Sequence, residues 1–168
     1  TRCGNNYGPR QFPEKFLPLI IANALNDKAI PLYGDGQNVR DWIYVDDHCR
    51  AILSVLEKGS SGAVYNIGAR NERENIDVVR ALLDALGKPH SLIKFVTDRL
   101  GHDRRYAIDP AKAETELGWK PQVAWEDGLA RTIGWYRDNQ NWVDHIRNGE
   151  YRDYYREMYE ERLAKQAE

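Results

Sequence analysis

The chain is predicted to be an α/β protein. Short runs rich in Ile, Val, Tyr and Leu, which read as strands, alternate with segments whose apolar residues recur at helical spacing. Several of the helical segments stop at a glycine, the residue that most readily closes a helix.

The elements follow in order. Phe16, Leu17, Ile20, Ile21, Ala24 and Leu25 recur at helical spacing between Lys15 and Leu25, with Pro13 near the first turn and a kink or strain expected at Pro18. "AIPLYGDGQNVRDWIYV" reads as two extended segments around Gly34-Asp35-Gly36, interpreted as a hairpin turn. Asp46 is expected to cap the next helix and Gly59 to end it. "AVYNIG" is a further strand. Asn75 is read as the N-cap of an amphipathic helix carrying Ile76, Val79, Leu82, Leu83 and Leu86 and stopped by Gly87. "LIKFVT" is another strand, Asp109-Pro110 opens a short helix closed by Gly118, and Trp125 to Asn139 forms the next. The tail "YRDYYREMYEERLAKQAE" mixes tyrosines with both signs of charge and reads as a solvated helix or a fraying terminus.

At 168 residues the chain is the size of one domain, or of one part of a larger protein. Charged residues make up 30% with a net charge of -2, so there is no basic field to hold nucleic acid or an anionic membrane. The longest apolar run, near Phe16 to Ala22, contains Pro18 and is too short to cross a bilayer. Cys3 and Cys49 form neither a zinc pattern nor a disulfide framework, and a cytoplasmic location is the simplest expectation. The first residue is Thr1 rather than Met, which suggests a cut piece.

The stretch Asn5 to Pro18, "NNYGPRQFPEKFLP", is loop chemistry crowded with hydrogen-bonding groups. Known engines are missing: no Tyr is followed four residues later by Lys, and there is no HExxH, GxSxG or P-loop. Gly34 and Gly36 do not make a dinucleotide fingerprint, because Val39 stands where a third glycine belongs. The polar groups instead suit a phosphorylated sugar. Arg40 could clamp a diphosphate bidentately, or simply pair with Asp41 or Asp46 at the surface. Asp98 to Asp109 gathers three arginines, three aspartates and a histidine, which suits an anion site and a structural charge network equally. His102 alone reads as structural, and an N-cap at Asn75 would also lie where helix amides can meet a phosphate.

"NNYGP", "PEK", "PLYGDG", "RDWIYVDDH", "YNIG", "NID", "GHDRRYAID" and "ELGWKP" together resemble the C-terminal half of the dTDP-glucose 4,6-dehydratases, which are extended short-chain dehydrogenases/reductases of the nucleotide-sugar epimerase/dehydratase family. The likeness runs from Thr1 to about Trp142. It implies the C-terminal portion of a Rossmann-type enzyme, with residues 1–8 and about 40–68 completing the edge of the Rossmann sheet. Residues of about 9–39 and 69–142 would form the substrate-binding domain and 143–168 a tail.

Such enzymes use NAD to oxidise the sugar at C4, eliminate water across C5 and C6, and return the hydride to C6. The NAD fingerprint and the catalytic Tyr-Lys and Asp-Glu pairs would lie in the absent N-terminal half, so no catalytic residue and no metal ligand is expected here. By the resemblance Asn5 contacts the substrate and Asn6 the nicotinamide end of NAD. Lys15 and Phe16 line the sugar-diphosphate path, and Pro31, Leu32 and Tyr33 enclose the nucleoside. Arg40 is the diphosphate clamp, Asn75 a nucleotide contact, and Asp98, Arg99, Leu100, Gly101 and His102 the loop over base and ribose. Leu100 replaces the proline usual in that loop, which frees a backbone dihedral.

The partners implied are a dTDP-sugar, the absent half, and a second copy of the full enzyme meeting the first through that half. A UDP-sugar epimerase, dehydratase or decarboxylase and a stand-alone nucleotide-sugar-binding module are the alternatives. Exposed sheet edges would make the isolated piece prone to self-association.

Overall fold

The computed structural model describes residues 1–147 and Arg156; the Tyr-rich tail read above lies otherwise outside the described residues. Two short strands open the chain, β1 (Arg2–Cys3) and β2 (Asn5–Tyr7), followed by α1 (Phe16–Leu25), β3 (Ile30–Tyr33) and β4 (Val39–Tyr44). Then come α2 (Val45–Lys58), β5 (Asn66–Ile67), β6 (Glu72–Glu74) and α3 (Asn75–Leu86). A 3-10 turn at His90–Leu92 leads to β7 (Ile93–Val96) and β8 (Arg105–Tyr106), and α4 (Ala111–Leu117), α5 (Trp125–Asp138) and α6 (Gln140–Arg147) complete the order. The α/β class is as expected.

Strand β4 is the hub. Its second half pairs in parallel with β2, bringing Asn5 opposite Trp42. Its first half pairs antiparallel with β6 on one side and parallel with β8 on the other. Side chains alternate across a strand, so Arg40, Trp42 and Tyr44 share one face and Asp41 and Ile43 the other. Two cores result. Trp42 and Tyr44 join Tyr7, α1, α3 and α5 in the larger one, while Ile43 joins Ala51, Tyr65, Ile67, Leu117 and Trp119 in the smaller.

The hairpin reading of Gly34-Asp35-Gly36 is overturned, because β3 pairs with β7 and not with β4. Gly34 and Gly36 adopt φ of 57° and 74°, and this left-handed turn sends the chain from one sheet into another. Pro18 is only the third residue of α1. Its missing N–H would have had no partner in the first turn, so the proline sits there without interrupting a hydrogen bond. Helix α1 is buried on nearly every side, from Leu17 to Ala24, as befits a core helix.

Two caps also differ. Helix α2 begins at Val45 with Tyr44 as its N-cap, and Asp46 lies inside the first turn, where its charge still favours the helix dipole. Helix α3 begins at Asn75 itself, with Glu74 at the N-cap and no side-chain cap bond. Gly59, Gly87 and Gly118 close α2, α3 and α4 as the sequence suggests.

Buried side chains brace this frame. The Asp41 carboxylate, 0% exposed, accepts the N–H of Ala69 at 3.1 Å and of Asn71 at 2.8 Å. Asp47, also buried, accepts Gln122 N–H at 2.8 Å and Val123 N–H at 3.0 Å and pairs with Arg50. Tyr7 sits in an aromatic cluster, edge-on to Tyr44 at 5.5 Å and tilted against Trp125 at 5.0 Å. Gly128 of α5 presses on that ring: an added Cβ would meet Tyr7 Oη and lie 3.0 Å from Tyr7 Cζ. Helix propensity favours Ala over Gly by about 1 kcal/mol, but overpacking a closed core costs about 1–3 kcal/mol. Gly128→Ala should therefore lower stability, as a drop in the urea midpoint with unchanged slope; a higher midpoint would show that the ring can yield.

Candidate functional site: a two-ended cavity beside β4

Strand β3, the face of β4 that carries Arg40 and Trp42, the first turns of α1 and α3, and the loop after β7 converge on a cavity of about 190 Å³. Asn5, Phe16, Pro31, Leu32, Tyr33, Arg40, Asn75, Arg99 and His102 line it, together with Glu14, Leu19 and Trp42. Nine residues singled out from the sequence are thus brought to one place.

Arg40 is 8% exposed, and the surface pairing considered for it does not occur. Its Nη1 donates to the Val39 carbonyl at 2.7 Å and its Nη2 to the Asp103 carbonyl at 2.9 Å. No carboxylate among the described residues forms an ion pair with it. Burial lowers the pKa of the guanidinium; Asp103 opposes this and Arg99 adds to it. A largely buried cation held only by carbonyls has no countercharge among the described residues, and its charge can be met by an anion. Asn75 Oδ1 and Trp42 Nε1 are buried polar atoms without a hydrogen-bond partner among the described residues. Each such atom costs about 1–3 kcal/mol unless something pairs with it.

Beyond the cavity the charged run after β7 is mostly self-satisfied. Arg104 pairs with Asp35 at 2.8 Å and donates to Gln37 Oε1 at 2.7 Å, and Arg105 pairs with Glu72 at 2.6 Å. Those two arginines follow the charge-network reading, whereas Arg99 follows the cavity. His102 closes the loop by donating from Nδ1 to Asp98 Oδ1 at 2.6 Å, and its ring stands edge-on to Tyr33 at 5.9 Å. Partial burial pushes the Asp98 carboxyl up, but the His102 hydrogen bond, the Arg99 N–H and the charges of both outweigh it and leave the pKa below the ordinary value.

The other expected site residues stand off the cavity wall. Lys15 is 57% exposed and pairs with Glu14 at 3.0 Å. Asp98 acts through His102, while Leu100 is fully exposed beside Gly101, whose φ is 69°. Asn6 faces away from Asn5 by strand alternation. Its Nδ2 reaches Cys3 Sγ at 3.4 Å and the Gly4 carbonyl at 3.3 Å, and its Oδ1 accepts from His48 Nδ1 at 2.8 Å. Burial holds the His48 pKa below its usual value. Sequence reasoning missed Glu14, Leu19 and Trp42. Trp42 could have been found from alternation, two residues after Arg40 on the same strand.

No group of three metal-ligating side chains occurs among the described residues, and no helix there is long and apolar enough to cross a membrane. A second depression, of about 430 Å³ near Arg70, Glu72, Arg105 and Asp109, has its arginines already paired with carboxylates.

The fold is that of the Rossmann-type dehydratases and epimerases of the extended short-chain dehydrogenase/reductase class. A family model described as GDP-mannose 4,6 dehydratase matches residues 1–132, and the chain belongs to that family. It is 49% identical over 169 residues to the dTDP-glucose 4,6-dehydratase of Shigella flexneri, covering 96% of this chain and 47% of the relative. The solved dTDP-glucose 4,6-dehydratase of Bacillus anthracis, in complex with NAD, superposes with a TM-score of 0.83 at 52% identity, over 86% of this chain and 46% of that one. The UDP-glucuronic acid 4-epimerase of Bacillus cereus, solved with UDP-glucuronic acid and NAD, superposes at 0.77 with 31% identity, over 82% and 44%. The chain spans about half the length of the curated relatives it matches, their C-terminal half.

Proposed function

We propose that this chain carries the nucleotide-sugar-binding half of an NAD-dependent dTDP-glucose 4,6-dehydratase, the enzyme that converts dTDP-glucose to dTDP-4-keto-6-deoxyglucose and water. The observation that carries the reading is Arg40, a buried guanidinium with no carboxylate partner among the described residues, lining a cavity that Arg99 and Asn75 also line. A diphosphate supplies the charge that Arg40 lacks. The rings of Tyr33 and His102 and the apolar sides of Pro31 and Leu32 would cover a base, while Phe16, stacked on Trp42 at 6.0 Å, would cover a sugar face.

Relatives that bind NAD and dTDP-sugars support the reading. Toward NAD this chain offers Asn6, whose amide is oriented by His48, and no phosphate-cradling glycine loop. When bound, NAD supplies hydride acceptance and return. Its main binding site and the proton-transferring pairs are assigned to the other half of the enzyme, as is the homodimer contact. This half grips the nucleotide, and that binding energy positions the sugar for reaction.

Calorimetric titration of the full chain with dTDP should give saturable one-to-one binding, while incubation with dTDP-glucose should give no 4-keto product. Absence of binding at millimolar dTDP would overturn the assignment. Tighter binding of UDP than of dTDP would favour a UDP-sugar epimerase instead, and turnover by this chain alone would disprove the division of labour.

A further inference from the structure

The cavity is electrically two-ended. Arg40 and Trp42 face it from the same strand, two residues apart, which separates their Cα atoms by about 7 Å. Around Arg40 lie Arg99 and Asn75; around Trp42 lie Asn5, directly opposite in register, and Phe16. Glu14 stands two residues before Phe16 in the chain and also lines the cavity. Its side chain is 28% exposed. Lys15, its ion-pair partner at 3.0 Å, is 57% exposed and off the cavity wall. Glu14 thus lines the cavity and Lys15, though ion-paired with it, does not.

We propose that Glu14 is a specificity-determining residue that selects nucleotide sugars with an uncharged hexose and rejects those carrying a sugar carboxylate. The inference rests on the nucleotide-sugar reading, with the diphosphate at Arg40, because that orientation sends the sugar toward Asn5, Phe16 and Glu14. A carboxylate only accepts hydrogen bonds, so it pairs well with sugar hydroxyls, which donate. A uronic acid, such as the sugar bound by the Bacillus cereus epimerase, would set a second carboxylate near the first. Like charges in a partly desolvated site repel strongly, and such a contact discriminates by excluding the wrong ligand rather than by gripping the right one.

The test compares dTDP-glucose with dTDP-glucuronate by equilibrium titration of the full chain, reading the ratio of affinities within each protein. The unaltered chain should prefer the neutral sugar by about thirtyfold or more, the scale expected of one like-charge contact. Glu14→Gln keeps the shape, removes the charge, and should shrink the ratio about tenfold, chiefly through tighter uronate binding. A circular-dichroism melt of the variant checks that it folds, and titration with dTDP alone checks the nucleotide end. If dTDP binds but the ratio is the same in both proteins, Glu14 is not the determinant. If the unaltered chain fails to bind dTDP, the nucleotide reading falls and takes this inference with it.

Discussion

Replacing Arg40 with methionine is expected to weaken dTDP binding about a hundredfold, because truncating one partner of a buried charged contact costs about 2–5 kcal/mol. The side chain is 8% exposed, so little water competes for the guanidinium. Methionine keeps much of the stem's packing, which separates loss of charge from loss of shape. Arg40→Lys should recover only part of the affinity. A lysine ammonium could reach an anion, but it cannot hold the Val39 and Asp103 carbonyls and present a flat fork at the same time. Affinity for dTDP that is unchanged in the methionine variant would remove Arg40 from the site.

Asp47→Ala is expected to cost about 4 kcal/mol of stability and to lower the melting temperature by about 10 °C. The carboxylate is the common acceptor for the N–H groups of Gln122 and Val123, and it also holds Arg50. Alanine would leave two part-buried N–H donors without their acceptor, each costing up to about 1–3 kcal/mol, and deprive Arg50 of its partner. The damage would not stay local, because residues 122 and 123 lead straight into α5 and the aromatic cluster around Tyr7. Asp47→Asn keeps one acceptor and should fall in between. A melting temperature within a degree of the unaltered chain would show that water satisfies the freed donors.

Much of this was legible in the sequence, and the misses have physical causes. Helices α3 and α5 were visible because a half-buried helix must repeat its apolar residues at the helical period. Strands β6 and β8 were not, since Glu72–Glu74 and Arg105–Tyr106 carry no apolar alternation and are strands only because β4 offers them backbone partners. The Gly-Asp-Gly turn was found, but its neighbours were not, because a tight turn fixes local direction and says nothing of which distant strand will pair. Asn75 was misread as a cap: its own N–H donates to the Asn38 carbonyl, so the helix begins one residue earlier than its amide suggests. Within the cavity, Arg40, Asn75 and the aromatic wall were reached through chemistry and resemblance. Glu14 was passed over because the resemblance named only Lys15 and Phe16 in that stretch.

Strand β4 has a kinetic meaning as well. Its six residues are flanked by segments from residues 5–7, 72–74 and 105–106, and Arg40 takes a carbonyl 63 positions away in the chain. Contacts of such separation form slowly, because a long loop must lose its freedom before any bond rewards it. The helices can fold early from their own spacing, but the surroundings of Arg40 cannot be complete until the latest of these segments has arrived. On the proposed reading, affinity for a nucleotide would report that residues 5 to 106 have come together, and a bound nucleotide would stabilise that state over partly folded ones.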